Sequence, residues 1–137
     1  MEFVRVFVDS NILISGFVFD GNELRVIFHC LRKGHKLVIS EHIEEEVFRT
    51  ILEKFPEYSK LFHEFIELGV FEIVPKESYI KNIDEFDIVR DGYDRHVLVS
   101  AIITGCNMIV SGDKDLLVLG TFKGVRILSA RDALKIL

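Results

Sequence analysis

Apolar residues gather in five short runs along the chain: Phe3–Val8 (FVRVFV), Lys36–Ile39 (KLVI), Val70–Val74 (VFEIV), Asn107–Val110 (NMIV) and Val125–Leu128 (VRIL). Each is rich in Val and Ile and close to continuously apolar. A strand of a parallel sheet, covered on both faces, needs that pattern. Helical stretches fill the gaps. Asn22–Lys33 follows Gly21 and stops at Gly34, a favoured C-terminal signal. Ser40 reads as the N-cap of a helix running to Glu53, with acids in its early turns where the helix dipole favours them. Glu57–Leu68 follows Pro56 and stops at Gly69. Asp94–Thr104 is apolar nearly all round and so reads as buried. A short helix starts at Asp113 or Lys114, and Ala130–Leu137 forms the last one. Such alternation predicts a three-layer α/β/α fold around a parallel sheet of roughly five strands. In such sheets a ligand site lies beyond the carboxyl ends of the strands, at the switch point.

The 137 residues fit a single domain spanning 1–137, with 49% hydrophobic and 28% charged residues, a mix that excludes disorder. The net charge is −5 and the pI near 5.5. A protein that holds nucleic acid by charge alone has a basic surface, so a nucleic-acid role here needs local basic groups or metal ions. Cys30 and Cys106 are too few for a disulfide framework and lack metal-ligand spacing; they read as reduced core residues of a cytoplasmic protein. The start shows no signal peptide and no run is long enough to span a membrane.

Asp9 directly follows the first strand, and Asp113 and Asp115 follow the fourth in VSGDKD. If those strands are neighbours, Asp9 and Asp113 converge. Asp94 opens the buried helix that feeds the fourth strand, with Asp91 one turn earlier. Carboxylates brought together repel one another, at a cost of several kcal/mol. A bound Mg²⁺ or Mn²⁺ removes that cost, because hard divalent ions prefer carboxylate oxygens. Phosphodiester hydrolysis uses such ions to activate water and to stabilise charge on a phosphoryl group. Each acid also has a plainer reading. Asp94 and Asp113 are placed as helix caps, and the DSN of Asp9 is good turn chemistry. Helical phase puts Glu44 within the apolar stripe of the second helix and Glu46 on its edge, so phase alone does not choose between them.

VDSNIL, ISEHIEEEVFRTIL, DRHVLVSAIITGCNMIVSGDKDLLVLG and GVRILSARDALKIL, in this order, resemble the PIN-domain family, most closely PIN proteins that serve as toxins of prokaryotic toxin–antitoxin systems. The resemblance covers essentially the whole chain. It implies a Mg²⁺- or Mn²⁺-dependent ribonuclease whose acids fall on Asp9, Glu46, Asp94 and Asp113. Asp91 and Asp115 stand as further ligands or water holders. Ser111 falls on the small hydroxyl position of the family's T/S-x-D turn, and Asn11 on the polar position near the first acid. Relatives carry a more acidic run where this chain reads DGYD, which leaves the third ligand between Asp94 and Asp91.

The sequence therefore predicts an RNA-cutting enzyme with an RNA substrate, an antitoxin partner and no membrane attachment. Strand guidance falls to Lys114, Arg95 and Arg25, with Arg32, Lys33, His35, Lys36 and His96 as further basic groups. Two rivals stand beside this reading. One is a phosphatase of the haloacid-dehalogenase type, which needs a second Asp where this chain has Asn11. The other is a catalytically silent PIN-like RNA-binding or assembly module. Phe62, Phe65 and Ile66 in EYSKLFHEFIEL read either as core or as an apolar face that pairs two copies into a homodimer.

Overall fold

The computed structural model describes residues 3–19, 21–85 and 92–137. Its strands are β1 (Arg5–Val8), β2 (Lys36–Ser40), β3 (Phe71–Val74), β4 (Met108–Val110), β5 (Thr121–Phe122) and β6 (Val125–Leu128). Its helices are α1 (Ser10–Val18), α2 (Asn22–Lys33), α3 (Glu41–Lys54), α4 (Ser59–Glu67), α5 (Gly92–Ile103), α6 (Lys114–Leu117) and α7 (Ala130–Ile136). The sheet order is β3-β2-β1-β4-β6-β5, and every pairing is parallel except β5 with β6. Val6, Phe7, Val8, Ile109 and Val110 are fully buried, as strands covered on both faces must be. This is the three-layer α/β/α fold that the apolar runs predict.

Two features differ from expectation. The sheet has six strands, not five. The extra one, β5, is two residues long and returns into β6 through Lys123 (φ 47°) and Gly124 (φ 84°). Two successive left-handed residues suit a tight hairpin, but two strand residues leave no apolar pattern to read. The second difference is α1, which the apolar run from Ile12 to Phe19 conceals. Its Ile12, Leu13 and Phe17 are buried, and it packs against both α2 and α3. A helix covered on several sides shows no polar face, so its periodicity fades. Gly16 permits the close approach of α2: a Cβ there would lie 3.2 Å from Ile27 Cδ1.

The apolar face of α4 is core. Phe62 is fully buried, edge-on to Phe17 and Phe48, and Phe65 and Ile66 are half-buried against the same cluster. Phe62 is thus core, while Phe65 and Ile66 keep part of their surface exposed. Burying a side chain like Phe62 is worth about 1.5–3 kcal/mol. Cys30 and Cys106 are free thiols, both buried, and burial pushes Cys30 up to about 11.

Candidate metal centre

Strand order reverses between β1 and β4. β2 and β3 lie on one side of β1, while β6 and β5 lie beyond β4. A crevice opens at such a switch point. Val8 pairs with Val110, so the residues that follow, Asp9 and Ser111, leave the sheet side by side. The Asp9 backbone N–H donates to the Val110 carbonyl at 3.0 Å and extends the ladder by one residue.

Asp9 is fully buried. Its Oδ1 accepts from the Ser10 N–H at 2.8 Å, making Asp9 the N-cap of α1. Its Oδ2 accepts from the Ser111 hydroxyl at 2.5 Å. Ser111 Oγ in turn accepts from the Asp113 N–H at 3.0 Å. Asn11 closes the same corner, its Oδ1 accepting from the Gly112 N–H at 3.1 Å. Asp113 caps α6 by accepting from the Asp115 N–H at 2.8 Å. That turn folds the Asp115 carboxylate back beside Asp113. The capping reading of Asp113 is thus borne out, whereas Asp9, read from its DSN as a turn former, caps a helix instead, and both caps coexist with the convergence of β1 and β4.

Asp94 sits in the first turn of α5, two residues inside its start, and is fully buried. Carboxylate oxygens of Asp94, Asp113 and Asp115 all lie within 4.8 Å of one another. Among the described residues this trio is the group spaced to share one ion. Asp9 and Glu46 stand outside it. Asp91 lies outside the described residues. Glu46 Oε2 is buried on α3 with no hydrogen-bond partner among the described residues. Its neighbour Glu44 is held above the usual carboxylate range by burial, then by Glu41 and Glu45.

Tyr79, which the sequence did not mark, ties this edge together. Its ring is fully buried and lies edge-on to His96 of α5, 5.8 Å between centroids. Its hydroxyl accepts from the His42 N–H at 3.3 Å in the first turn of α3. His42 stacks on His96 at 4.5 Å, so the helices carrying Glu46 and Asp94 meet through three rings. Burial, then His42 and Lys76, holds His96 below its ordinary value. An isolated Tyr in a polar loop carries no periodic signal, and only the fold reveals it.

Of the basic residues, Lys114 is exposed between Asp113 and Asp115, Arg95 is half-buried beside Asp94, and Arg25 is exposed on α2. His35 is buried, 8% exposed, and its Nδ1 accepts from the Val4 N–H. It is structural, not a guide for a strand.

Residues 5–115 match the PIN domain family. The chain belongs to that family. PIN domains are generally nucleases and typically use divalent metals. Among solved structures, this PIN domain resembles VapBC2 from Rickettsia felis bound to a DNA fragment from its promoter, at 14% identity and TM-score 0.65, over 90% of this chain and 96% of that one. It also resembles FitAcB from Neisseria gonorrhoeae, at 11% identity and TM-score 0.66, over 92% of this chain and 98% of that one. At those identities the likeness is one of fold. No curated protein matches the sequence. No helix among the described residues is long and apolar enough to cross a membrane.

Proposed function

We propose that this PIN domain is a single-domain, metal-dependent endoribonuclease that hydrolyses RNA phosphodiester bonds at the carboxyl edge of β1 and β4, and that it is the toxin of a toxin–antitoxin pair. The observation that carries the reading is the trio of Asp94, Asp113 and Asp115, with oxygens within 4.8 Å of one another. Three carboxylates so close repel unless a cation sits among them. The donor set is all oxygen, which suits Mg²⁺ or Mn²⁺ rather than zinc. The partnerless Oε2 of Glu46 adds a fourth oxygen in want of a positive partner.

Asp94, Asp113 and Asp115 would hold the ion, with Glu46 as a further ligand or water positioner. When bound, a divalent ion supplies Lewis acidity to water and to phosphoryl oxygens. The chain's own residues do the rest. Asp9, fixed by Ser10 and Ser111, keeps the β1–β4 corner rigid and holds negative charge beside the trio. Ser111 sets the position of Asp113 through its backbone N–H. Lys114 and Arg95 place positive charge next to the acids, where a phosphate must approach.

The toxin assignment rests on the resemblance to PIN toxins and on the two complexes of like fold. An antitoxin partner follows from it. The test is cleavage of a labelled RNA by the purified chain with Mn²⁺ or Mg²⁺, with and without EDTA. Cutting that stops with EDTA and with Asp9→Asn supports the reading. Cutting that persists in EDTA overturns it.

A further inference from the structure

A groove of about 380 Å³ runs between α2 and α7, lined by Leu24, Arg25, Phe28, His29 and Arg32 of α2 and by Leu134 of α7. No acid is among the described residues that line it, although the chain carries a net charge of −5. Arg25, Phe28 and Arg32 follow at i, i+3 and i+7 and share one face of the helix. At 1.5 Å per residue the two guanidinium stems are about 10 Å apart along the axis. Phe28 lies between them and is 49% exposed. Arg32 Nη2 lies 3.1 Å from His29 Nδ1. A guanidinium only donates, so His29 accepts there and holds the Arg32 side chain beside the groove.

We infer that this groove is a footing for single-stranded RNA: Arg25 and Arg32 contact phosphates along the strand, and Phe28 offers its ring for a base to stack on. Proteins that follow a single strand without reading its sequence combine cations that track the backbone with aromatic rings that stack bases. The groove has both, in alternation, on one face. An acidic peptide would also meet the two arginines. A half-exposed ring between two cations favours a nucleic-acid strand, which offers both a base to stack and phosphates to meet the guanidinium groups. This inference rests on RNA being the substrate, and it gives the acidic domain the local basic surface that its composition requires.

The test is fluorescence anisotropy of a short labelled oligouridine, in EDTA so that binding is read apart from cleavage. The variants are Arg25→Gln with Arg32→Gln, and Phe28→Ala. All three side chains are exposed, and circular dichroism checks that the variants fold. The double arginine variant should bind about tenfold more weakly, with the slope of log K against log salt reduced by about 1.4, near 0.7 per lost phosphate contact. Phe28→Ala should weaken binding about tenfold with an unchanged slope, since stacking carries no charge. Parent-like binding by the double variant overturns the inference, as does loss of binding to a polyglutamate peptide instead of oligouridine. Arginine-dependent binding by a chain that cuts no RNA would sink the nuclease reading and leave the groove standing.

Discussion

Ser111 donates its hydroxyl proton to Asp9 Oδ2 at 2.5 Å, although 102 residues separate the two in sequence. The same oxygen of Ser111 accepts from the Asp113 N–H. One buried hydroxyl thus links the acid after β1 to the acid after β4. Hydrogen bonds to charged groups are worth about 1.5–3 kcal/mol, and removing the donor leaves a buried acceptor unmet. Ser111→Ala should lower stability by about that amount, read as a drop in the urea midpoint with an unchanged slope. It should also weaken Mn²⁺ binding about tenfold, as loss of a group that orients a ligand does. An unchanged midpoint would show that the link contributes nothing.

Glu46 gives a prediction with two opposite signs. Its Oε2 is buried and has no hydrogen-bond partner among the described residues, so the ion-free protein bears a cost for it. Glu46→Gln removes the charge and keeps the shape. Without metal the variant should be as stable as the parent or slightly more so. With Mn²⁺ its affinity should fall about tenfold. A variant that loses stability and keeps its Mn²⁺ affinity would make Glu46 a structural acid.

Much of this was legible in the sequence, for identifiable reasons. Apolar runs marked five strands because a buried parallel strand has no polar face to interrupt it. They did not mark α1, whose burial gives it the same look. Strand-end position brought Asp9 and Asp113 together, and β1 and β4 are indeed neighbours. It ranked Asp115 as an extra, and the structure brings Asp115 together with Asp94 and Asp113. The signal was present: an Asp-x-Asp at a helix start lets the first acid cap the N–H of the second. Glu46 could not be told from Glu44 by phase, because Glu44 falls within the apolar stripe of α3 and Glu46 on its edge. Tyr79, His42 and His96 meet only in three dimensions.

His35 should make stability depend on pH. Burial, then His29 and Lys33, holds it below its ordinary value of 6.5. Its Nδ1 accepts from the Val4 N–H, which requires that nitrogen to be unprotonated. The unfolded chain therefore takes up the proton first. The contribution of His35 is complete above pH 6.5 and declines as pH falls from there toward the folded value, by at most about 1.4 kcal/mol per pH unit. The urea midpoint of the parent minus that of His35→Gln should shrink on going from pH 8 to pH 5. A constant difference would mean that His35 titrates alike in both states.

Tyr79→Phe keeps the ring stack and deletes the hydroxyl that the His42 N–H bonds. The expected loss is about 1 kcal/mol, read from the urea midpoint. Proteolysis should rise in the 75–83 loop, which Tyr79 anchors to α3. Equal protection of that loop in the variant would mean that the Tyr79 hydroxyl does not hold it, leaving ring packing and the Lys76 contacts with Glu41 and Glu45.

Mn²⁺ titration calorimetry on the parent, Asp113→Asn and Asp115→Asn tests the central claim most directly. The exposed positions of Lys114 and Asp115 on a short surface helix let the Asp115 variant fold even where Asp113→Asn does not. The account predicts Mn²⁺ binding by the parent, at least a tenfold weaker affinity in each variant, and loss of RNA cleavage in parallel. A parent that binds no Mn²⁺, or variants that bind it as tightly as the parent, would contradict it.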